Sequence, residues 1–316
     1  MKILFMGTPD FAAGILEAIV KSDDHEVVAV VTQPDRPKGR SKELIACPVK
    51  EYALSQGINV LSPVKIKQSE EVEKLRAIDA DIYVVAAFGQ ILSKEILDIP
   101  KYGCINVHAS LLPEYRGAAP IQWSIADGKK FTGVTIQQMN EGVDTGDIIT
   151  SVTTQISPDE TGESLFNKLM HAGADLIVST LDLIAKGETV HTPQDETKAT
   201  YAKILKKEMG LIDYTKTAQE IERLCRAFTP WPGIYTYLDN RMLKIKKCSA
   251  AVDAVNATPG EIVSVSKDDI KVACSGSVLC IERLQPEGKK EMSAHDFLLG
   301  NAIKPGMMLG DKKVSP

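Results

Sequence analysis

The chain has 316 residues, 44% of them hydrophobic and 25% charged, which is enough for two domains of an ordinary globular protein. No apolar run approaches the roughly 18 residues that a membrane-spanning helix needs. The formal net charge of −5 excludes a generally basic nucleic-acid-binding protein, although residues 1–207 carry −6 and residues 208–316 carry +1.

The N-terminal half alternates apolar strands with amphipathic helices. Strands without polar alternation are typical of a parallel sheet covered on both faces. We therefore predict an α/β fold with a Rossmann-like, mostly parallel sheet in a catalytic domain. The strongest strand candidates are "KILFM" (2–6), "EVVAVVT" (26–32), "DIYVVAAF" (81–88) and "YGCINVH" (102–108).

The turn after the first strand raises the question of dinucleotide binding. Gly7 forms the turn, and Thr8 is predicted as the N-cap of a helix with Pro9 at its first position. The glycines at 7 and 14 do not make a Gly-x-Gly-x-x-Gly motif, and Pro9 removes an N–H that a pyrophosphate would use. Without a Walker lysine motif either, the sequence argues against an NAD or ATP enzyme.

The second half changes character along the chain. Alternating strands at 133–139 and 147–156 precede a long helix at 161–187, and the polar stretch that follows predicts a linker. A helix and five short strands with turn signals then favour a small OB-like β-barrel. The predicted limits are 1–188 for the catalytic domain, 189–208 for the linker and 209–316 for the C-terminal domain.

The six cysteines include no Cys-x-x-Cys pair, and no histidine lies at metal-ligand spacing from one of them. This pattern predicts reduced thiols in a cytoplasmic protein and no metal site. The N-terminus has a single lysine before a short apolar run, which indicates a first strand and not a signal peptide.

Asn106 and His108 lie one residue apart where a buried strand ends. On an extended strand their side chains point to the same side, and ligands bind at the carboxyl ends of parallel strands. An amide and a protonated imidazole together offer donors for a developing oxyanion. The pair taken alone favours a structural interpretation, in which His108 is a hydrogen-bonded histidine at a strand end and Asn106 caps the loop.

A second loop, "MNEGVDTGDII" (139–149), places Asp144 between glycines at 142 and 146. An aspartate near His108 would favour the protonated imidazole and orient its ring, or would relay protons through water. A simple glycine-flanked aspartate turn is the alternative. Ser110 is too close to His108 to form a triad, so the residues favour direct attack of an amine on a carbonyl, without a covalent enzyme intermediate.

Two long segments, "INVHASLLPEYRGAAPIQW" (105–123) and "GVTIQQMNEGVDTGDII" (133–149), resemble the folate-dependent formyltransferases. The resemblance implies that Asn106, His108 and Asp144 are catalytic and that 10-formyltetrahydrofolate is the formyl donor. It also implies a folate pocket along two segments, namely Phe88, Gly89, Gln90, Ile91 and Leu92, together with Ser110, Leu111, Leu112 and Pro113.

The resemblance extends over the whole chain, including "FMGTPDFAAGIL" (5–16) and "RAFTPWPG" (226–233). It favours the branch of the family that formylates initiator methionyl-tRNA for translation initiation, with the C-terminal domain as a tRNA-binding domain. We expect a monomer that contacts no membrane. Two alternatives stay open: a formyltransferase for an amino-sugar nucleotide, and a non-catalytic RNA-binding protein.

The segment "QPDRPKGRSK" (33–42) carries basic residues at alternate positions. A basic run of this kind is often only a solvated loop, but the resemblance places it beside the catalytic cleft, where it suits the phosphates of an acceptor stem. The predicted tRNA-binding residues are Arg36, Lys38, Arg40, Lys42, Lys206 and Lys207.

Overall fold

The computed structural model describes residues 1–37, 44–251 and 255–311, and these fall into two compact units. Unit 1 comprises Met1–Pro120, Phe131–Gln155 and Phe166–Ala202; unit 2 comprises Ile121–Lys130, Ile156–Leu165 and the described part of Lys203–Pro316. The predicted domain limits at 188 and 208 stay a prediction. In the structure, unit 1 continues through the first fourteen residues of the predicted linker, to Ala202.

The strands described up to residue 202 differ in length, and several consist of only two residues. They are β1 Lys2–Gly7, β2 Glu26–Val31, β3 Arg36–Pro37, β4 Leu44–Ile45, β5 Val60–Leu61, β6 Ile82–Ala86, β7 Cys104–His108, β8 Arg116–Gly117, β9 Phe131–Gln138, β10 Ile148–Gln155 and β11 Tyr201–Ala202.

A seven-stranded sheet runs through the described part of unit 1 in the order β10-β9-β7-β6-β1-β2-β5. The strands from β7 to β5 pair in parallel, whereas β9 pairs antiparallel with both β7 and β10. β1 is buried from Ile3 to Gly7 and β6 along its whole length, as expected of strands in a parallel sheet that is covered on both faces. The predicted mostly parallel sheet is confirmed.

The helices that lie between these strands vary greatly in length. They are α1 Asp10–Val20, α2 Pro48–Ser55, α3 Ser69–Arg76, α4 Lys94–Leu97, α5 Pro120–Ala126 and α6 Gly162–Lys186. Short 3-10 turns at Glu196–Lys198 and Lys207–Gly210 follow. Among the described residues, no helix has the length and apolar character to cross a membrane.

The prediction that Thr8 caps α1 is wrong. The N-cap is Pro9, with no side-chain hydrogen bond, and the helix begins at Asp10. The Thr8 hydroxyl instead donates to the carbonyl of Phe88 at 3.2 Å and accepts the N–H of Gln33 at 3.4 Å. The hydroxyl of Thr8 therefore connects the loops that follow β1, β2 and β6 by hydrogen bonds. Because it is used there, it does not cap the helix.

Unit 2 contains an antiparallel sheet in the order β12-β13-β16-β15-β14, with one further strand on β16. Its two edges are bridged by the C-terminal tail, because Gly310 pairs with Tyr237 and Met308 pairs with Glu261. This closure agrees with the predicted barrel class. The elements are α7 Ala218–Ala227, β12 Ile234–Leu238, β13 Arg241–Ala251, β14 Ile262–Val265, β15 Ile270–Cys274, β16 Ser277–Pro286, β17 Met292–Ser293 and α8 Ala294–Gly300.

Candidate active site

β7 carries Asn106 and His108 to the carboxyl end of the parallel part of the sheet. It lies between β6 and β9, where Asn106 is paired with Gln137 and His108 with Thr135. His108 is only 6% exposed, and Asn106 is half-buried. Burial of an imidazole and an amide at this edge requires polar partners, and the loop after β9 supplies one.

That partner is Asp144, whose backbone adopts a left-handed conformation with φ of +54°. Its Oδ1 accepts hydrogen bonds from Gln137 Nε2 at 2.9 Å and Asn106 Nδ2 at 3.3 Å. Its Oδ2 accepts the N–H of Gly117 at 2.8 Å and lies 3.6 Å from Nδ1 of His108. The structure therefore brings all three predicted catalytic side chains together.

The hydrogen bond between His108 and the backbone indicates which ring nitrogen carries a proton. Nε2 is 2.9 Å from the carbonyl oxygen of Tyr115, and a carbonyl can only accept, so we assign a proton to Nε2. Nδ1 faces Asp144 Oδ2 at 3.6 Å, a distance slightly longer than a hydrogen bond.

The loop of Asp144 passes so close to Gln138 that position 146 has no room for a side chain. A Cβ atom at this position would lie 1.6 Å from the carbonyl oxygen of Gln138, so only glycine allows this approach of the two chain segments. The N–H of Gly146 donates to Gln137 Oε1 at 3.2 Å. Gln137 thus holds both the side chain of Asp144 and the backbone of its loop.

The predicted folate residues divide into exposed and buried positions. Gly89 and Ile91 are exposed, and Ile91 is 64% exposed, whereas Phe88 and Leu92 are buried in the core. Gln90 accepts the N–H of Ile66 at 2.8 Å and donates to the carbonyl of Pro63 at 3.0 Å. On this segment, Ile91 is therefore the exposed side chain available to a ligand, and Gly89 exposes its backbone.

In the second predicted folate segment, some polar groups form hydrogen bonds within the protein and are not available to a ligand. Ser110 is fully buried, and its hydroxyl donates to the carbonyl of Glu114 at 2.6 Å. Leu112 is buried as well, and its N–H donates to Thr135 Oγ1 at 3.1 Å. Leu111 and Pro113 are half-buried. The two segments follow neighbouring strands, because Val85 on β6 pairs with Asn106 on β7.

A cavity of about 540 Å³ adjoins the end of β6, a volume in the range of small-molecule sites. It is lined by Thr8, Pro9, Gln33, Pro34, Arg36, Pro37, Ile45, Ala46, Cys47, Pro48, Ala87, Phe88 and Gly89. Within the described ranges, no group of three or more His, Cys, Asp or Glu side chains is arranged to hold a metal ion.

The predicted tRNA-binding residues are only partly described. Arg36 is an exposed residue of β3 in unit 1, and Lys206 and Lys207 are exposed residues of unit 2. Lys38, Arg40 and Lys42 lie outside the described residues. The structure therefore does not test whether the six side chains form one surface.

Four residues of this region were missed by the sequence analysis. Gly117 and Gln137 donate directly to Asp144, while Gln194 donates to the carbonyls of Asp144 and Gly146 at 2.9 and 2.7 Å. Arg116 is fully buried and donates to Gln194 Oε1. The sequence signal that could have indicated these residues was Arg116 itself, a charged residue in a largely apolar segment. Arginine is rarely buried without a partner, so a buried Arg116 would require polar residues around it.

Arg116 also forms a two-pronged ion pair with Glu196, at 2.7 and 2.8 Å. The hydrogen bond from Arg116 lowers the pKa of Glu196, and the same contact raises the pKa of Arg116. Both groups are therefore charged at neutral pH. This pairing supplies the compensation that a buried guanidinium needs.

Comparison with known proteins places the chain in a family. The family model described as formyl transferase matches residues 1–181, and the formyl transferase C-terminal domain matches residues 204–302. Methionyl-tRNA formyltransferase of Agathobacter rectalis is 51% identical over 97% of this chain and 98% of its own length. That of Citrifermentans bemidjiense is 49% identical over 100% of this chain and 98% of its own length.

Solved structures agree on the fold. A crystal structure of an N-formyltransferase from Helicobacter canadensis, in complex with folinic acid and dTDP-3-aminofucose, superposes with a TM-score of 0.66. It covers 89% of this chain and 99% of its own chain at 19% sequence identity, so it supports the fold alone. From the family models and the near full-length relatives, we conclude that the chain belongs to the formyl transferase family.

Proposed function

We propose that the chain transfers the formyl group of 10-formyltetrahydrofolate to the free amino group of initiator methionyl-tRNA, giving N-formylmethionyl-tRNA for translation initiation. The observation that carries this proposal is the cluster of Asn106, His108 and Asp144 at the end of β7, in a chain that matches methionyl-tRNA formyltransferases along nearly its whole length. We expect this protein to act in the cytoplasm, since its six cysteines are all free thiols.

The residues at the end of β6 fit a folate. The exposed Gly89 and Ile91 offer a close backbone approach and an apolar contact beside the buried Phe88 and Leu92, which suits a flat heterocycle. Leu111 and Pro113 are the half-buried members of the neighbouring segment. When bound, the formyl folate supplies the electrophilic formyl carbon that the amine attacks.

The amide of Asn106 and Nδ1 of His108 provide the donors for the charge that develops on the formyl oxygen, because Nε2 of His108 is already bonded to the carbonyl of Tyr115. The amide of Asn106 has two N–H groups, and only one of them is used in the 3.3 Å contact with Asp144. Donors that are already held in place stabilise developing charge without reorganisation, and the loss of one such donor typically costs 10²- to 10³-fold in rate.

Asp144 is proposed to control the proton on Nδ1 of His108. Its Oδ2 is 3.6 Å from this nitrogen and is held by the N–H of Gly117. A fixed carboxylate orients the ring and accepts a proton through water when the attacking amine loses one. Asp144 is therefore both the orienting group of His108 and part of the proton path.

The basic residues are proposed to contact tRNA phosphates. The exposed Arg36, Lys206 and Lys207 belong to this set, as do Lys38, Arg40 and Lys42 in the 33–42 segment. A protein with a net charge of −5 can attract an acidic substrate only through such local groups. Binding should therefore weaken with salt.

A comparison of acceptors tests the proposal. The purified chain is mixed with 10-formyltetrahydrofolate and either charged initiator methionyl-tRNA or an amino-sugar nucleotide, and released tetrahydrofolate and the formylated acceptor are both measured. We expect equal amounts of both products with methionyl-tRNA and none with the sugar. Formylation of the sugar alone would support an amino-sugar formyltransferase, and no tetrahydrofolate release with tRNA that still binds would support an RNA-binding protein.

A further inference from the structure

The segment 194–202, here called the strap, connects the loop that carries Asp144 with the loop that follows β7. It lies within the predicted linker but is part of unit 1. At its start, Gln194 Nε2 donates to the carbonyls of Asp144 and Gly146, at 2.9 and 2.7 Å. Both N–H groups of this amide are therefore used on the loop of Asp144.

Asp144 needs support on its backbone because its φ of +54° is unfavourable for a residue with a Cβ atom. Such conformations persist only where the surroundings determine them, and they occur often at functional sites. The side-chain donors fix the carboxylate and Gln137 binds the N–H of Gly146, whereas Gln194 binds the carbonyl oxygens of Asp144 and Gly146, the residues on either side of Thr145. Loss of its amide would release the loop from this conformation.

Arg116 fixes the orientation of the Gln194 amide. Its Nε and a terminal nitrogen donate to Gln194 Oε1 at 3.1 and 2.8 Å. Since a guanidinium can only donate, the oxygen of the amide must face Arg116 and the nitrogen must face the two carbonyls. Arg116 is itself held by Glu196, also in the strap, through the ion pair described above.

The end of the strap reaches the other loop. Thr200 Oγ1 accepts the N–H of Tyr115 at 2.8 Å, and the carbonyl of Thr200 accepts the N–H of Arg116 at 2.9 Å. The carbonyl of Tyr115 receives Nε2 of His108. β11 of the strap also pairs with β8. The strap thus determines the backbone on both sides of the His108–Asp144 contact.

We propose that Gln194, anchored by Arg116, is a positioning residue for formyl transfer: it holds the Asp144 loop in the conformation that places the carboxylate beside Nδ1 of His108. This inference rests on the proposed function for its kinetic consequence. It assigns a role to a segment that has the composition of a linker, and Gln194 itself need touch neither substrate.

A double-mutant cycle tests whether Gln194 acts through Asp144. Gln194→Met retains the length of the side chain and removes its hydrogen bonds, and we expect kcat to fall about 10- to 100-fold with both KM values within about threefold of the parent. In an Asp144→Asn background, the same substitution should lower kcat less than about threefold further, because coupled residues are not additive. Equal losses in both backgrounds would overturn the proposal.

Gln285→Met is the matched control, since Gln285 is a half-buried glutamine of unit 2 whose amide donates to the carbonyl of Lys289 at 2.9 Å. We expect parent-like kinetics from it. Kinetics of Gln194→Met that match this control would overturn the proposal. If Gln194→Met does not fold, Gln194→Glu takes its place, because a carboxylate there still accepts from Arg116 but cannot donate to the carbonyls.

Amide hydrogen exchange supplies a measurement independent of activity. In Gln194→Met, the N–H of Gly146 should exchange faster than in the parent and in Gln285→Met, because its loop has lost two hydrogen bonds. Unchanged exchange at Gly146 would overturn the positioning role. A parent protein that does not formylate methionyl-tRNA would instead refute the proposed function, and the exchange measurement would still decide the role of the strap.

Discussion

The carboxylate of Asp144 is held on three sides by donors from Gln137, Asn106 and Gly117. It is therefore a fixed negative charge, and the groups around it need not move when the charge on its neighbours changes during the reaction. In such a site, the same carboxylate can keep His108 oriented and accept a proton by way of water.

Asn106→Ala tests the donor role at residue scale. The substitution removes the amide donors but leaves Gln137 and Gly117 on Asp144, so the carboxylate keeps two of its three partners. We expect kcat to fall about 10²- to 10³-fold with little change in KM, as for other oxyanion donors. Steady-state kinetics with both substrates measure this; a rise in KM at unchanged kcat would show that Asn106 only binds substrate.

His25 is a buried titratable group that lies outside the site. Its side chain is 1% exposed, and its Nε2 lies 3.1 Å from Asp182. Burial lowers its pKa, and the nearby N-terminal charge lowers it further, against the opposing effect of Asp182. The folded protein therefore binds this proton less readily than the unfolded chain does, so the unfolding free energy should fall as the pH drops below about 6.5.

Denaturant unfolding of the parent and of His25→Gln between pH 7.5 and pH 5 measures this contribution. The variant lacks the titrating ring, so its unfolding free energy should fall less over that interval than the parent's. The comparison isolates His25 because all other titrating groups are shared. An identical pH dependence in the two proteins would contradict the assignment of a lowered pKa.

At the scale of elements, α7 shows how a local sequence signal fixes a helix end. Thr217 accepts the N–H of Glu220, and the Glu220 carboxylate accepts the N–H of Thr217, which together form a capping box. Hydrogen bonding by Thr217 also lowers the pKa of Glu220. By contrast, α3 begins after Gln68, whose side chain makes no capping hydrogen bond.

Thr217→Ala should lower the unfolding free energy by about 1 kcal/mol, the usual cost of a lost N-cap. Gln68→Ala is the control, because it removes an N-cap side chain that makes no cap hydrogen bond. Denaturant unfolding of both variants against the parent measures the difference. Equal stability of Thr217→Ala and the parent would show that the capping box does not contribute.

The elements also show what the sequence could and could not predict. Apolar periodicity predicted β1, β6 and β7 and the long helix α6, because these patterns follow from burial against the sheet. It failed at the strap, whose order comes from hydrogen bonds to distant residues such as Asp144 and Tyr115. Polar composition alone cannot distinguish a strap of this kind from a solvated linker.

The same limit applies within the site. Asn106, His108 and Asp144 could be predicted as site residues because they lie in two motifs. The structure adds the distances to Asp144, which are 3.3 Å from Asn106 Nδ2 and 3.6 Å from His108 Nδ1. Gln137 and Gly117 were missed because their contribution is a single donor aimed at one carboxylate, which depends on strand pairing and loop path. Thr8 was misplaced because its hydroxyl has two tertiary partners that local capping rules do not consider.

At the scale of the whole molecule, charge decides how a chain with a net charge of −5 meets an acidic substrate. If the basic side chains contact phosphates, the logarithm of tRNA affinity should fall linearly with the logarithm of salt concentration. Lys206→Ala combined with Lys207→Ala should reduce that slope by about 2, one for each lost phosphate contact.

Binding of methionyl-tRNA measured from low to moderate salt provides this slope. Lys289→Ala combined with Lys290→Ala is the matched control, since these are also adjacent, exposed lysines of unit 2. We expect the control slope to equal that of the parent. A slope unchanged in the 206–207 variant would remove both lysines from the tRNA contact.

The central claim is tested most directly by single-turnover formation of N-formylmethionyl-tRNA at saturating 10-formyltetrahydrofolate, comparing the parent with His108→Ala. His171→Ala is the control, because His171 is an exposed histidine of α6 whose Nδ1 bonds to the carbonyl of Asn167 one turn earlier in the same helix. We predict rapid transfer by the parent and the control, and a rate at least about 10²-fold lower in His108→Ala. Near-parent transfer by His108→Ala would contradict the account.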